Sequence, residues 1–108
     1  MLLRANGYRT LTIANGATAS EAFFFGPYAM AAVIMPSTLD GTALTFQVSG
    51  DGVTYVALDD GEGAAVGMTV AASKAYALPD ALAVYQYFKL VMGTSQTDDS
   101  VIGLCFKS

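Results

Sequence analysis

The side chains able to do chemistry are few in this chain. Two loops concentrate carboxylates: Asp59, Asp60 and Glu62 in one, Asp98 and Asp99 in the other. Paired carboxylates can work as a glycosidase acid and base, and clustered ones can hold calcium with six to eight oxygens. Neither cluster has the ligand spacing of a known calcium loop, and no aromatic sugar platform flanks them, so solvated acidic turns account for both. The chain has no histidine and a single cysteine, Cys105. That removes the commonest general base, the usual activator of a serine or cysteine nucleophile, and any multi-ligand zinc site. Ser49-Gly50-Asp51-Gly52-Val53-Thr54-Tyr55 is similar to the Asp-box hairpin of sialidases. It has one residue too few between Asp51 and Gly52, and tyrosine in place of tryptophan. That motif is structural in any case, so Asp51 reads as a turn residue. No catalytic, cofactor-binding or metal-binding residue is assigned, no cofactor is expected, and the chain does not read as an enzyme.

Composition narrows the classes further. At 108 residues the chain is expected to be one domain, 1–108, with enough length to bury one core. Charged residues make up only 13%, against about 25% in an average globular protein, while apolar residues make up 54%. A surface so poor in charge must show apolar area or cover it with a partner, which predicts an oligomer or a docked subunit. Net charge is −4 with five basic residues in all. A basic nucleic-acid groove is therefore not expected, and neither is a basic amphipathic helix for a membrane surface. The opening MLLRANGYR lacks the apolar core of a signal peptide. The uncharged run Ala22–Leu39 is broken by Pro27 and Pro36, which argues against a membrane helix. Cys105 reads as a small buried hydrophobe in the last strand. The twelve tyrosines and phenylalanines, with no tryptophan beside them, read as core and interface packing.

The elements that position these residues read as strands. Thr42–Leu58 alternates apolar and polar up to Ser49, turns at Gly50-Asp51-Gly52 and resumes, a strong hairpin signal. With Asp51-Gly52 as the two turn residues, Val48 faces Tyr55 and Phe46 faces Ala57, and Leu44, Phe46, Val48 and Tyr55 point to the core. A longer, bulged loop would slip the pairing by one and turn Val56 and Leu58 inward. Tyr8–Ile13 alternates as a first strand, ended by Ala14-Asn15-Gly16. Thr18–Phe25 is a second, and its triple phenylalanine must send at least one ring away from the main core. Tyr28–Met35, apolar on both faces and flanked by Pro27 and Pro36, reads as a central strand buried on both sides. Val66–Ala71 and Ser73–Leu78 are extended, Pro79–Ala83 forms one helical turn, and Val84–Met92 and Val101–Lys107 are the closing strands. Seven to eight strands with no long helix predict an all-β, antiparallel β-sandwich or jelly roll.

From about Leu11 to Leu104 the chain resembles small β-sandwich virion proteins of tailed bacteriophages and prophages. The resemblance is carried by Ile13-Ala14-Asn15-Gly16-Ala17-Thr18-Ala19-Ser20, by Gly26-Pro27-Tyr28 leading into an apolar strand that ends at Met35-Pro36, by Leu44–Ser49 with Asp51–Tyr55, and by Tyr87-Phe88-Lys89-Leu90 followed by Gly93-Thr94-Ser95. It implies a structural component of the virion, assembled in the host cytoplasm, with the capsid decoration (cement) role foremost. The major capsid protein would be its partner and a homo-oligomer, with a trimer favoured, its assembled form. The alternative is a receptor- or carbohydrate-binding module of a phage tail or head appendage, with Tyr76, Tyr85 or Tyr87 in a groove.

Overall fold

The computed structural model describes residues 6–108; the expectation for the opening leader segment lies largely outside them. Among the described residues nine strands form: β1 (Asn6–Ile13), β2 (Phe23–Phe24), β3 (Met30–Ile34), β4 (Ala43–Ser49), β5 (Val56–Ala57), β6 (Gly67–Thr69), β7 (Ala75–Ala77), β8 (Tyr87–Met92) and β9 (Ser100–Lys107). A single 3-10 turn, Asp80–Val84, stands where a helical turn is expected. No helix among the described residues is long and apolar enough to cross a membrane.

The strands build two antiparallel sheets, β1-β9-β3-β7 and β2-β8-β4-β5, with β6 also on β4. β5 and β6 lie on the same side of β4, Val56 against Val48 and Met68 against Leu44. They are one edge strand interrupted by the excursion Asp59–Val66. Counted so, eight strands pass between the sheets in the order of a jelly roll, the fold left open beside a plain sandwich.

The core lies between the sheets. Leu11, Ile13, Val33, Ile102 and Leu104 come from the four-stranded sheet, and Leu44, Phe46, Val48, Phe88, Leu90 and Met92 from the other; all are buried. The period-2 alternation of each strand puts them there. At one end Phe23 bridges the layers, its ring centroid 4.8 Å from Phe106 and 5.6 Å from Phe88. Phe25 is buried with it, while Phe24 points outward and packs on Tyr87 at 5.2 Å. The triple phenylalanine thus divides as the alternation requires.

Thr18–Phe25 is less regular than expected. Ala19 bridges Val91, but Phe23 pairs with Phe88, so one residue bulges out between them. The buried Ser20 hydroxyl fills the gap, accepting the N–H of Leu90 at 3.0 Å and donating to the carbonyl of Glu21.

The hairpin corrects the two-residue turn. Val48 pairs with Val56 and Gln47 with Ala57, a slip of one from the simple register. The reason is local hydrogen bonding. Asp51 Oδ1 accepts the N–H groups of Val53 and Thr54 and the Ser49 hydroxyl, while Ser49 Oγ accepts the N–H groups of Asp51 and Gly52. The loop satisfies its own donors, so a wide Asx-type turn replaces a tight one. The N–H groups of Thr54 and Val53, with the Ser49 hydroxyl, also hold the Asp51 carboxyl below the ordinary carboxylate range. Leu58 turns into the core, as the slipped register predicts, but Val56 stays exposed at the ladder's end. Tyr55, expected inside, lies instead under the Lys89 ammonium, 4.3 Å from its ring centroid, on the outer side of β8.

Gly52 has φ +80°, and a Cβ there would sit 2.9 Å from the Tyr87 ring. Gly52→Val is therefore expected to destabilise the fold by about 1–3 kcal/mol, through left-handed strain and a clash together. Thermal unfolding followed by circular dichroism measures it; an unchanged midpoint would show that the turn relaxes freely.

Candidate assembly face

Strand register assigns the two sides of the four-stranded sheet. Tyr8 pairs with Cys105, Cys105 with Ala32, and Ala32 with Ala77, so these four project to one side. Met30 opposite Lys107, and Ile34 opposite Gly103 and Ala75, project with them. This is the side away from the core, since Leu104 and Val33 occupy the other. The Tyr8 hydroxyl confirms the assignment, lying 2.8 Å from where a Cβ on Gly103 would be and so covering that glycine from outside.

The outward side is apolar. Tyr8 is 62% exposed, and Met30, Ile34 and Val101 are each 47% exposed. Lys107 is the one charged residue at the outward positions of these strands. Between the bulky residues the small ones leave a shallow depression of about 640 Å³, floored by Ala32, Ala77 and Cys105 and framed by Tyr8, Met30 and Lys107. Such a volume is in the range that takes a side-chain cluster or a small molecule.

This face corrects two expectations. Tyr28–Met35 is a central strand, between β9 and β7, but not one buried on both sides. Val33 and Met35 are buried while Met30 and Ile34 are half exposed, because a two-layer sandwich has no third layer to cover its outer face. Cys105 is half-buried at the floor of the depression rather than sealed in the core. The signal in the sequence was the unbroken apolar run YAMAAVIM: a strand apolar on both parities calls for cover on both faces, and this chain supplies cover on one.

The carboxylate loops do structural work. Asp59 accepts the N–H of Gly61, and Asp60 those of Glu62 and Ala64, within the excursion between β5 and β6. These bonds, from Glu62 first and Ala64 second, lower the Asp60 pKa. Asp99 accepts the N–H of Asn15 at 2.8 Å, tying the Asn-Gly turn to the last loop. Among the described residues no group of three or more acidic, cysteine or histidine side chains could hold a metal ion.

The three tyrosines named for a groove do not converge. Tyr76 belongs to the four-stranded sheet and accepts the N–H of Ala71 on its hydroxyl. Tyr85 packs against the core. Tyr87 stands on the outer side of the five-stranded sheet, beside Phe24.

No family model matches the chain, and no curated protein matches it. Two solved structures do. The crystal structure of the SPBc2 prophage-derived protein YomS aligns over 100% of this chain and 99% of that one, at 15% identity and a TM-score of 0.59. A structure of Bacillus endospore appendages, described as a family of disulfide-linked pili, aligns over 97% of this chain and 85% of that one, at 12% identity and a TM-score of 0.47. The likeness to the prophage protein is one of fold, and it extends from end to end of both chains.

Proposed function

We propose that this protein is a structural subunit of a phage-type particle that docks through the outer face of its four-stranded sheet. The observation that carries the reading is that face: it is apolar, nearly uncharged, and left uncovered by the chain's own two layers. The prophage origin of the fold neighbour and the virion-protein resemblance of the sequence support the same assignment. Within it, the preferred role is capsid decoration, with the lattice of the major capsid protein as partner and the virion as location.

The size of the face suits that role. Four strands at ~4.8 Å spacing and up to eight residues at ~3.3 Å rise present roughly 400–500 Å². A stable two-body interface takes about 800 Å² from each partner. One such face binds weakly alone and gains strength by repetition on a symmetric lattice.

Cosedimentation with empty shells of the major capsid protein from the same phage genome tests the reading. The protein is expected to pellet with shells. Ile34→Glu, which sets a carboxylate on the exposed face, is expected to weaken binding at least about tenfold while leaving the melting midpoint within a few degrees. No binding by the unaltered protein, or full binding by Ile34→Glu, would overturn it.

A second reading, a carbohydrate-binding module of an appendage, is favoured by the opposite sheet. There Phe24, Tyr87 and Tyr55 form an outward aromatic row, with Lys89 stacked on Tyr55. Glycan binding that is lost on Phe24→Ser, without any shell binding, would select this reading over the first.

A further inference from the structure

The longest strand at a sheet edge in this fold is β1, and among the described residues no strand pairs with its outer side. Its backbone direction follows from its neighbour. The N–H of Ala29 donates to the carbonyl of Lys107, so in β9 Lys107, Cys105, Gly103 and Val101 turn their backbone groups toward β3. The alternate residues of β9 turn toward β1, where they meet Gly7, Arg9, Leu11 and Ile13. The N–H and C=O groups of Asn6, Tyr8, Thr10 and Thr12 therefore point away from the sheet. One of these donors is covered: the Thr12 N–H donates to Glu21 Oε1. Among the described residues, Tyr8 and Thr10 have no such cover on that side. An edge of this kind is a template for another strand unless something blunts it.

We propose that the β1 edge pairs with the β1 edge of a second copy of this chain, antiparallel, about a two-fold axis at Tyr8. Three registers pair both open positions, Tyr8 and Thr10, with residues of the partner's β1, and the side chains choose between them. A two-fold at Thr10 sets Thr12 against Tyr8, but the Glu21 carboxylate already occupies the Thr12 donor. A two-fold at Arg9 sets the two guanidinium groups directly opposite each other, which is unfavourable. A two-fold at Tyr8 pairs Tyr8 with Tyr8, and Asn6 with Thr10 twice. Arg9 then faces Gly7, the residue of β1 without a side chain, whose inner side is filled by the Phe106 ring. Six backbone hydrogen bonds form, no like charges meet, and the two tyrosines make an aromatic cross-strand pair on the outer face. A foreign strand could use the same donors, but Tyr8 against Tyr8 and Arg9 against Gly7 fit the strand to its own copy.

The pairing joins two four-stranded sheets into one of eight. Their uncovered faces become a single surface of roughly 800–1,000 Å², the amount one side of a stable interface presents. The edge contact itself does not depend on what that surface docks against.

Sedimentation equilibrium of the purified chain without shells, with amide hydrogen exchange by NMR at high and low concentration, tests the proposal. The expected result is a concentration-dependent dimer in which the Tyr8 and Thr10 amides exchange at least about tenfold more slowly than in the monomer. Thr10→Pro removes an outward donor without touching the β9 ladder and should weaken the dimer by tenfold or more. Should that variant fail to fold, Tyr8→Lys sets two ammonium groups against each other at the axis and should have the same effect. A strict monomer, a trimer, or a dimer whose Tyr8 and Thr10 amides exchange freely would overturn the edge pairing. Because shells are absent, each of those outcomes leaves the docking-face reading to its own test.

Discussion

Replacing Gln96 with leucine is expected to lower the melting midpoint by roughly 10 °C or more, corresponding to a loss of about 2–4 kcal/mol. The side chain is 2% exposed and fully engaged. Its Oε1 accepts the Asp40 N–H at 3.0 Å and the Ser100 hydroxyl at 2.6 Å, and its Nε2 donates to the carbonyls of Asp40 and Thr94. Its own backbone holds the first turn, accepting the Gly16 N–H and donating to the Ala17 carbonyl. One residue thus joins three loops, its backbone holding the one after β1 and its side-chain amide tying the one after β3 to the one after β8. Leucine keeps the volume and the backbone bonds but deprives the side-chain partners of theirs, Ser100 at zero exposure among them. Buried groups left unpaired are the expensive case, more so than the bonds themselves. The Asp40 carboxylate adds a further link by accepting the N–H and hydroxyl of Thr97, which lower its pKa. Differential scanning calorimetry of the variant measures the loss; a midpoint within two or three degrees of the parent would mean that water replaces the amide at little cost.

Phe23→Ala is expected to cost about 3–5 kcal/mol, the most of any single core truncation at that end of the sandwich. Phe23 packs against Phe25, Tyr28, Phe88 and Phe106, and the Arg9 guanidinium lies 5.4 Å from its ring centroid. It is the contact that holds the two sheets together where β2 is only two residues long. Phe24→Ser, one residue on, removes a ring that is 48% exposed and should change stability by less than about 1 kcal/mol. Urea unfolding of the pair separates them. Equal losses would mean that both rings belong to one core, contrary to their alternation across the sheet.

Much of the fold was legible because strands write themselves with period 2. Leu44, Phe46 and Val48 were readable as an inward row, and Val84–Met92 as a strand, before any coordinate was known. The hairpin register was not, because it turned on hydrogen bonds between Asp51, Ser49 and their own backbone, and these depend on where a carboxylate points. The bulge at Ser20 was hidden for a similar reason: a hydroxyl can stand in for a ladder bond, and nothing in its identity says that it does. The two segments β5 and β6 were legible as extended chain, but that they are one interrupted edge strand on β4 was not, because only the ladder to β4 shows it.

The docking face shows the division most plainly. From its residues alone the chain was marked as β-rich, poor in charge, without histidine chemistry and with more apolar surface than its length can hide. Those properties belong to composition and local alternation, which no fold can change. Which apolar residues remain outside was decided only by tertiary structure. β3 could have lain between two covering layers, and its sequence is suited to that. The order β1-β9-β3-β7 instead places it in a two-layer sandwich, where every strand has one face toward the core and one toward the outside. The physical reason is that burial is a property of layers: Met30, Ala32 and Ile34 are as apolar as Val33, but the chain folds only one other sheet to set against them.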